Sequence, residues 1–362
     1  MADRTGGFNI AAFSFLRSGR SSQHAEVCAG STDLCSEGLF DMLLPKKDRK
    51  TQLSLGDYAK EIAGIGHRDG GRAAWEAGWG NVAVWLAHKY FPDEIGSAHA
   101  DEFHRPFVSM ALLPYDASAE RATGGILIKN GTWKPVVWNW RARWNILVIP
   151  NPRKRKKHEE VAIVLIPISD IMLRGGRETF GFDAGANPEI LIRSVFVPKH
   201  RTVSLKALMR GDGNAQAGYW QYRLSAAALL TIHAVLPLYG VAAAARAPAS
   251  GRQVLRRDTR VTLEALRNID AATHMLSGLL QRMQVRAICN VPLVTDECRG
   301  IRRTAVLAGH LILTAVDSLA SICHGKTDDD QIEMQSRWRD ARTLGLCAEV
   351  AIRSFATLFE GP

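Results

Sequence analysis

GGILIKNGTW at 124–133, WNILVIP at 144–150, VAIVLIP at 161–167 and ILIRSVFVP at 190–198 are short apolar runs rich in β-branched residues, separated by Gly, Pro and Asn. Runs of that length and punctuation read as strands. They predict a β domain between residues 107 and 202. On either side the texture is helical. Upstream, Tyr58, Ile62, Ile65, Trp75, Trp79, Val82, Trp85 and Leu86 recur at helical spacing until Pro92 stops the run. Downstream, an Ala-, Leu- and Arg-rich chain breaks near Gly251, near Asn290-Val291-Pro292 and at residues 325–330, and it reads as an antiparallel helical bundle. The expectation is an α+β chain divided into a helical region at 1–106, a β-barrel-like domain at 107–202 and a bundle at 203–362.

The chain has 362 residues, 46% hydrophobic and 23% charged, which excludes disorder and is enough for a large core. A net charge of +10 favours anionic partners without fixing a function. Six cysteines without a CxxC pair read as reduced thiols of a cytoplasmic protein, with no structural zinc. No signal peptide is read at the N-terminus, which lacks a contiguous apolar stretch before a cleavage site. Residues 224–245 contain no Asp, Glu, Lys or Arg, a run long enough to cross a bilayer. That run is poor in Leu and Ile and carries His233, Pro237, Tyr239 and Gly240, so it reads as the central helix of a soluble bundle. Its apolar surface runs too far around for one neighbour, which predicts self-association. RKRKK at 153–157 reads as a charged hairpin tip, not a nucleic-acid site, and HADEFH at 99–104 as a connector, not a metal site. GIGHRDGG at 64–71 misses the dinucleotide fingerprint, because Asp69 occupies the third glycine position and no strand precedes it.

Six segments carry a family likeness. EGLFDMLLP (37–45), KEIAGIGHRDGGRAAW (60–75), GGILIKNGTW (124–133), IPISD (166–170), SVFVPKHRT (194–202) and SRWRDAR (336–342) together, in order, resemble the acyl-CoA dehydrogenase-fold flavin monooxygenases. These are the two-component hydroxylases and N-oxygenases of secondary metabolism. The resemblance implies an acyl-CoA dehydrogenase-like fold, a flavin where the β domain meets the bundle, and a homodimer or homotetramer formed through the bundle.

The sequence departs from that pattern at the positions the family uses around its flavin. Val137 and Trp138 stand where the family has a Ser-Gly pair, Gly185, Ala186 and Asn187 where it has a Thr-Gly-Ser turn, and Cys347 where many monooxygenases have a His. These losses lead to the expectation that the flavin is gone and that no cofactor is used. The leading expectation is then a cofactor-independent cyclase acting on a polyketide-like intermediate of antibiotic-type biosynthesis, in a remodelled cleft. A confining pocket and a few hydrogen bonds suffice for such a reaction. Residues 132–144 hold Trp133, Trp138, Trp140 and Trp144, against nine Trp in the chain, together with Arg141 and Arg143. If that segment is extended, Trp138 and Trp140 share one face and the two arginines the other. Arg143 and Trp138 are the expected catalytic residues, and Trp140, Asn187, Trp220 and Cys347 the expected substrate contacts. The alternatives are a monooxygenase taking reduced FAD or FMN from a partner reductase, and a non-catalytic partner subunit.

Overall fold

The computed structural model describes residues 40–46, 52–97, 107–139, 141–150, 161–174, 189–210, 218–249, 256–323 and 328–360. RKRKK and HADEFH lie outside them. Helix α1 (Leu55–Asp69) starts where the Ser54 hydroxyl accepts the Asp57 amide at 3.0 Å, satisfying a first-turn donor. It ends at Gly70, whose φ of 90° is a left-handed value that side-chain-bearing residues avoid, and α2 (Gly71–Tyr90) begins at once. Phe40 and Met42 dock on α2 by two devices. The Phe40 ring occupies the space that a Cβ on Gly80 would fill, and buried Asn81 accepts the Met42 amide at 2.8 Å.

After the short helix α3 (Pro92–Ser97), the chain forms two four-stranded sheets. One has the order β1-β4-β5-β8, built from Val108–Ala111, Trp144–Pro150, Val161–Pro167 and Thr202–Ser204. The other has the order β2-β3-β7-β6, from Leu113–Ala122, Gly125–Lys134, Glu189–Pro198 and Met172–Arg174. Leu147, Ile149, Val164 and Ile166 point between the sheets, toward Ile128, Trp133, Ile190 and Ile192. Their alternate neighbours Ile146, Val148, Ile163 and Leu165 join the core shared with the helices. The first sheet is therefore buried on both faces, which is why β4 and β5 read as continuous apolar runs. Trp133 spans the sandwich and donates its indole N–H to the Val148 carbonyl at 2.8 Å.

The rest of the chain is helical: α4 (Leu205–Arg210), α5 (Ala226–Ala249), α6 (Arg256–Ile288), α7 (Thr295–Ile322) and α8 (Asp328–Glu360). Two of these, α5 over residues 226–246 and α7, are long and apolar enough to cross a membrane, and 89% of the α5 stretch is buried inside the fold. Helices α1, α2, α6, α7 and α8 of the same chain surround α5. This corrects the expectation that α5 needs a second subunit to cover it. Small residues make the enclosure possible, since a Cβ on Gly240 would overlap the Ala63 backbone of α1.

Candidate functional site

The expected site residues fall in several places. Residues 135–139 and 141–143 do not form an extended strand. The Val137 amide and carbonyl both bond to Met110, the Asn139 amide bonds to the Ser109 hydroxyl, and Asn139 then turns the chain by accepting the amides of Arg141 and Ala142. The expected Trp/Arg alternation is therefore corrected: tight backbone pairing with β1 and a turn at Asn139 replace it. Trp138 is half-buried and packs on the core between the two sheets. Arg143 is exposed; its amide bonds to Phe107 and its carbonyl to Ile168. Trp140 and Asn187 lie outside the described residues, as do Gly185 and Ala186.

Trp220 sits in a short 3-10 turn at the edge of the main core. That turn is tied to the C-terminal half of α2, where the Trp85 indole donates to the Gln221 carbonyl at 3.0 Å and the Lys89 ammonium to the Leu224 carbonyl at 2.9 Å. The Val136 carbonyl accepts the Trp75 indole at 2.8 Å, ten residues earlier on α2, about 15 Å along its axis. The two anchor points are thus well separated.

Cys347 lies where β3 approaches α8. Burial pushes its thiol up to about 11, and the ammonium of Lys134, the last residue of β3, only partly offsets this. The group is therefore a neutral thiol near pH 7 and cannot take the place of an imidazole base. Burial in turn lowers the Lys134 ammonium below the usual lysine range, against the opposing influence of Cys347 and Glu189. Lys134 makes no hydrogen bond and no ion pair with the described residues. Glu189 is committed to Arg174 through an ion pair on the sheet edge.

Helix α8 also binds the break between α1 and α2. Asp340, from the SRWRDAR segment, accepts the Gly71 amide at 2.7 Å, and the Cβ of Asp340 would lie 3.0 Å from a Cβ on Gly71. GIGHRDGG is thus a helix junction capped from another element. Between α7 and α8 lies a cavity of about 480 Å³ lined in part by Cys323, Met334, Trp338 and Arg342. Three of its polar side chains pair with one another, Asp317 accepting the Trp338 indole at 2.9 Å and the Arg342 guanidinium at 2.6 Å. Among the described residues, no group of three or more His, Cys, Asp or Glu could hold a metal ion.

The architecture is acyl-CoA dehydrogenase-like, as the sequence resemblance implied. No family model matches the chain. It is 26% identical over 296 residues, 75% of this chain and 71% of the relative, to the oxygenase component of FADH2-dependent resorcinol hydroxylase from Rhizobium sp. strain MTP-10005. Among solved structures it is similar to the HsaA monooxygenase of M. tuberculosis, with a TM-score of 0.75 at 19% identity over 92% of this chain and 89% of that one. It is also similar to XiaF from Streptomyces sp. in complex with FADH2 and glycerol, with a TM-score of 0.70 at 20% identity over 92% of this chain and 88% of that one. The resemblance to acyl-CoA dehydrogenase-fold flavin monooxygenases therefore holds. The relatives overturn the expectations of a cofactor-independent cyclase and of a protein without a cofactor, and they lend no support to a role in antibiotic biosynthesis.

Proposed function

We infer that the protein is the oxygenase component of a two-component flavin monooxygenase, hydroxylating an aromatic substrate with reduced flavin and O2. The observation that carries this reading is the likeness to an FADH2-dependent hydroxylase over three-quarters of the chain, on a fold shared with flavin monooxygenases. The flavin, when bound, supplies the electrons that activate O2, one oxygen atom going to the substrate and the other to water. A separate reductase is the implied partner, and a soluble homodimer or homotetramer is part of the reading.

At the end of β3 the Lys134 ammonium, which makes no hydrogen bond and no ion pair with the described residues, is a charge complement for an anionic ring. The Val137 amide, already paired with Met110, gives such a ring no hydrogen bond. We assign Cys347 and, by the family's pattern, Asn187 to the ring site; Trp138 packs on the core between the sheets. Proton acceptance from the substrate falls to water, since the Cys347 thiol stays protonated and an ammonium has no lone pair to offer.

The test is to supply the protein with FAD, NADH and an unrelated flavin reductase, and to follow O2 uptake and product formation with resorcinol and related phenols. Hydroxylated product that requires both proteins supports the reading. Failure of oxidised and reduced FAD alike to bind would refute it.

A further inference from the structure

Val285, Ile288, Val291 and Val294 follow one another at three-residue intervals around the turn from α6 to α7, and each is 41–56% exposed. The turn that carries them is fixed. The Cys289, Asn290 and Val291 amides donate to the Val285, Ala287 and Arg286 carbonyls at 2.9–3.2 Å, and Asn290 closes the helix at a left-handed φ of 55°. The Val294 amide donates to the Glu297 carboxylate at 3.0 Å, and Pro292 has no N–H to satisfy. Gln284 accepts the Leu55 amide at 2.7 Å and so pins the end of α6 to α1. The apex therefore shows solvent four apolar side chains on a backbone whose named amides need no water.

Behind the apex stand arginines. Residues 282–303 contain five, Arg282, Arg286, Arg299, Arg302 and Arg303, against two acids, Asp296 and Glu297. Both acids are engaged, Glu297 by Arg286 and Asp296 by Arg299 at 3.1 Å, so the hairpin end keeps a positive excess. Asp57, in the first turn of the adjoining α1, is held by Lys60 at 2.9 Å and does not offset it. Counted at about 1.5 Å per residue, Arg282 lies about 9 Å behind Ile288 along α6, and Arg303 about 12 Å behind Thr295 along α7. Apolar residues in front and cations roughly 5–10 Å behind match the layering of a lipid interface, where acyl chains lie beneath phosphates. A second copy would set the same positive excess against itself.

We propose that the α6–α7 turn is a docking tip for an anionic phospholipid surface. Val285, Ile288, Val291 and Val294 enter the interface and the arginines face the lipid phosphates. Four residues give a reversible attachment and not a span. The proposal is independent of the flavin reading.

Cosedimentation of the full-length protein with vesicles tests it, using phosphatidylcholine alone and with about one-third phosphatidylglycerol. Wild type should bind the anionic vesicles about tenfold or more tightly than the neutral ones, and raising salt from about 0.1 to 0.5 M should release it. The pair Ile288→Ser and Val294→Ser should weaken binding about tenfold at an unchanged melting temperature, since both side chains are exposed. The pair Arg282→Gln and Arg303→Gln should remove the preference for anionic lipid. Should either pair melt early, Val294→Ser alone and the salt dependence of wild type decide. Absence of vesicle binding by wild type overturns the proposal, as does undiminished binding by the folded serine pair, the result expected if RKRKK at 153–157 carried the attachment. Two further results count against it: wild type that ignores vesicles but loses an oligomer in the serine pair, which assigns the tip to a second copy, or wild type that ignores vesicles but binds polyglutamate through the arginines, which assigns it to an acidic protein.

Discussion

Asp340 on α8 accepts the backbone N–H of Gly71 at 2.7 Å, so a carboxylate 269 positions away in sequence caps the first turn of α2. The amide is one of the donors that a helix start leaves without an internal partner, and the negative charge sits at the positive end of the helix dipole. Asp340→Ala should destabilise the protein by about 1.5–3 kcal/mol, the range for a hydrogen bond to a charged group. Asp340→Asn should cost less because the oxygen acceptor remains. Urea denaturation of the two variants measures the difference, and equal stability of wild type and Asp340→Ala would refute the capping role.

The α1–α5 crossing depends on the absence of a side chain at two positions. A methyl group on Gly240 would overlap the Ala63 backbone, whereas on Gly66 it would lie 3.2 Å from Gly240 and 3.3 Å from the Ala74 side chain. Gly240→Ala should therefore cost about 1–3 kcal/mol or more by forcing the helices apart, and Gly66→Ala distinctly less. Thermal melts should give the order wild type, Gly66→Ala, Gly240→Ala; the reverse order of the two variants would contradict the packing.

His233 gives the fold a pH dependence. Its Nδ1 faces the Leu229 carbonyl at 2.7 Å and must donate, which leaves Nε2 to accept the Tyr58 hydroxyl at 2.6 Å. Burial lowers its pKa to about 4 from an ordinary 6.5, against the opposing hydrogen bond to Leu229. Between those values the unfolded chain binds a proton that the folded chain refuses. The stabilisation is thus complete above about pH 6.5 and is lost as pH falls toward 4, by on the order of 3 kcal/mol in all. His233→Asn should be less stable at pH 7.5 and should show a shallower loss between pH 6.5 and 4. Parallel curves for the two proteins would exclude His233 as the source.

Trp138 and Arg143 should separate in their effects. Trp138 packs on the core between the sheets and Arg143 is exposed. Trp138→Ala should lower stability by about 1–2 kcal/mol, the loss expected from a half-buried aromatic, while Arg143→Ala should stay within about 0.5 kcal/mol of wild type. Flavin titration of both variants checks the site: Arg143→Ala should bind as wild type does.

Much of the fold was legible because burial leaves a direct trace in composition. β4 and β5, buried on both faces, read as unbroken apolar runs, and α1 and α2 announced themselves by the spacing of Tyr58, Ile62, Trp75 and Trp79. β2 was not singled out because Asp116, Ser118, Glu120 and Arg121 give it the texture of a loop; its pairing with β3 makes it a strand. The site was less legible for a different reason. Lys134 looks like any charged residue at a strand end, and nothing in its local pattern marks its partial burial. Of the clustered tryptophans, the Trp133 indole spans the two sheets and Trp138 packs on the same core. Substitution of the family's residues at 137–138, 185–187 and 347 was read as loss of the flavin, although the chain remains similar to flavin-dependent oxygenases.

The enclosure of α5 has a consequence for the order of synthesis. Helices α1 and α2 precede it from the ribosome, but α6, α7 and α8, which cover its remaining sides, follow it. A nascent chain stopped after residue 249 presents a helix of bilayer length with much of its apolar surface bare, the kind of species that aggregates or recruits chaperones. Truncation within α8 should be far more damaging than the loss of one surface helix, because α8 is also a wall of α5.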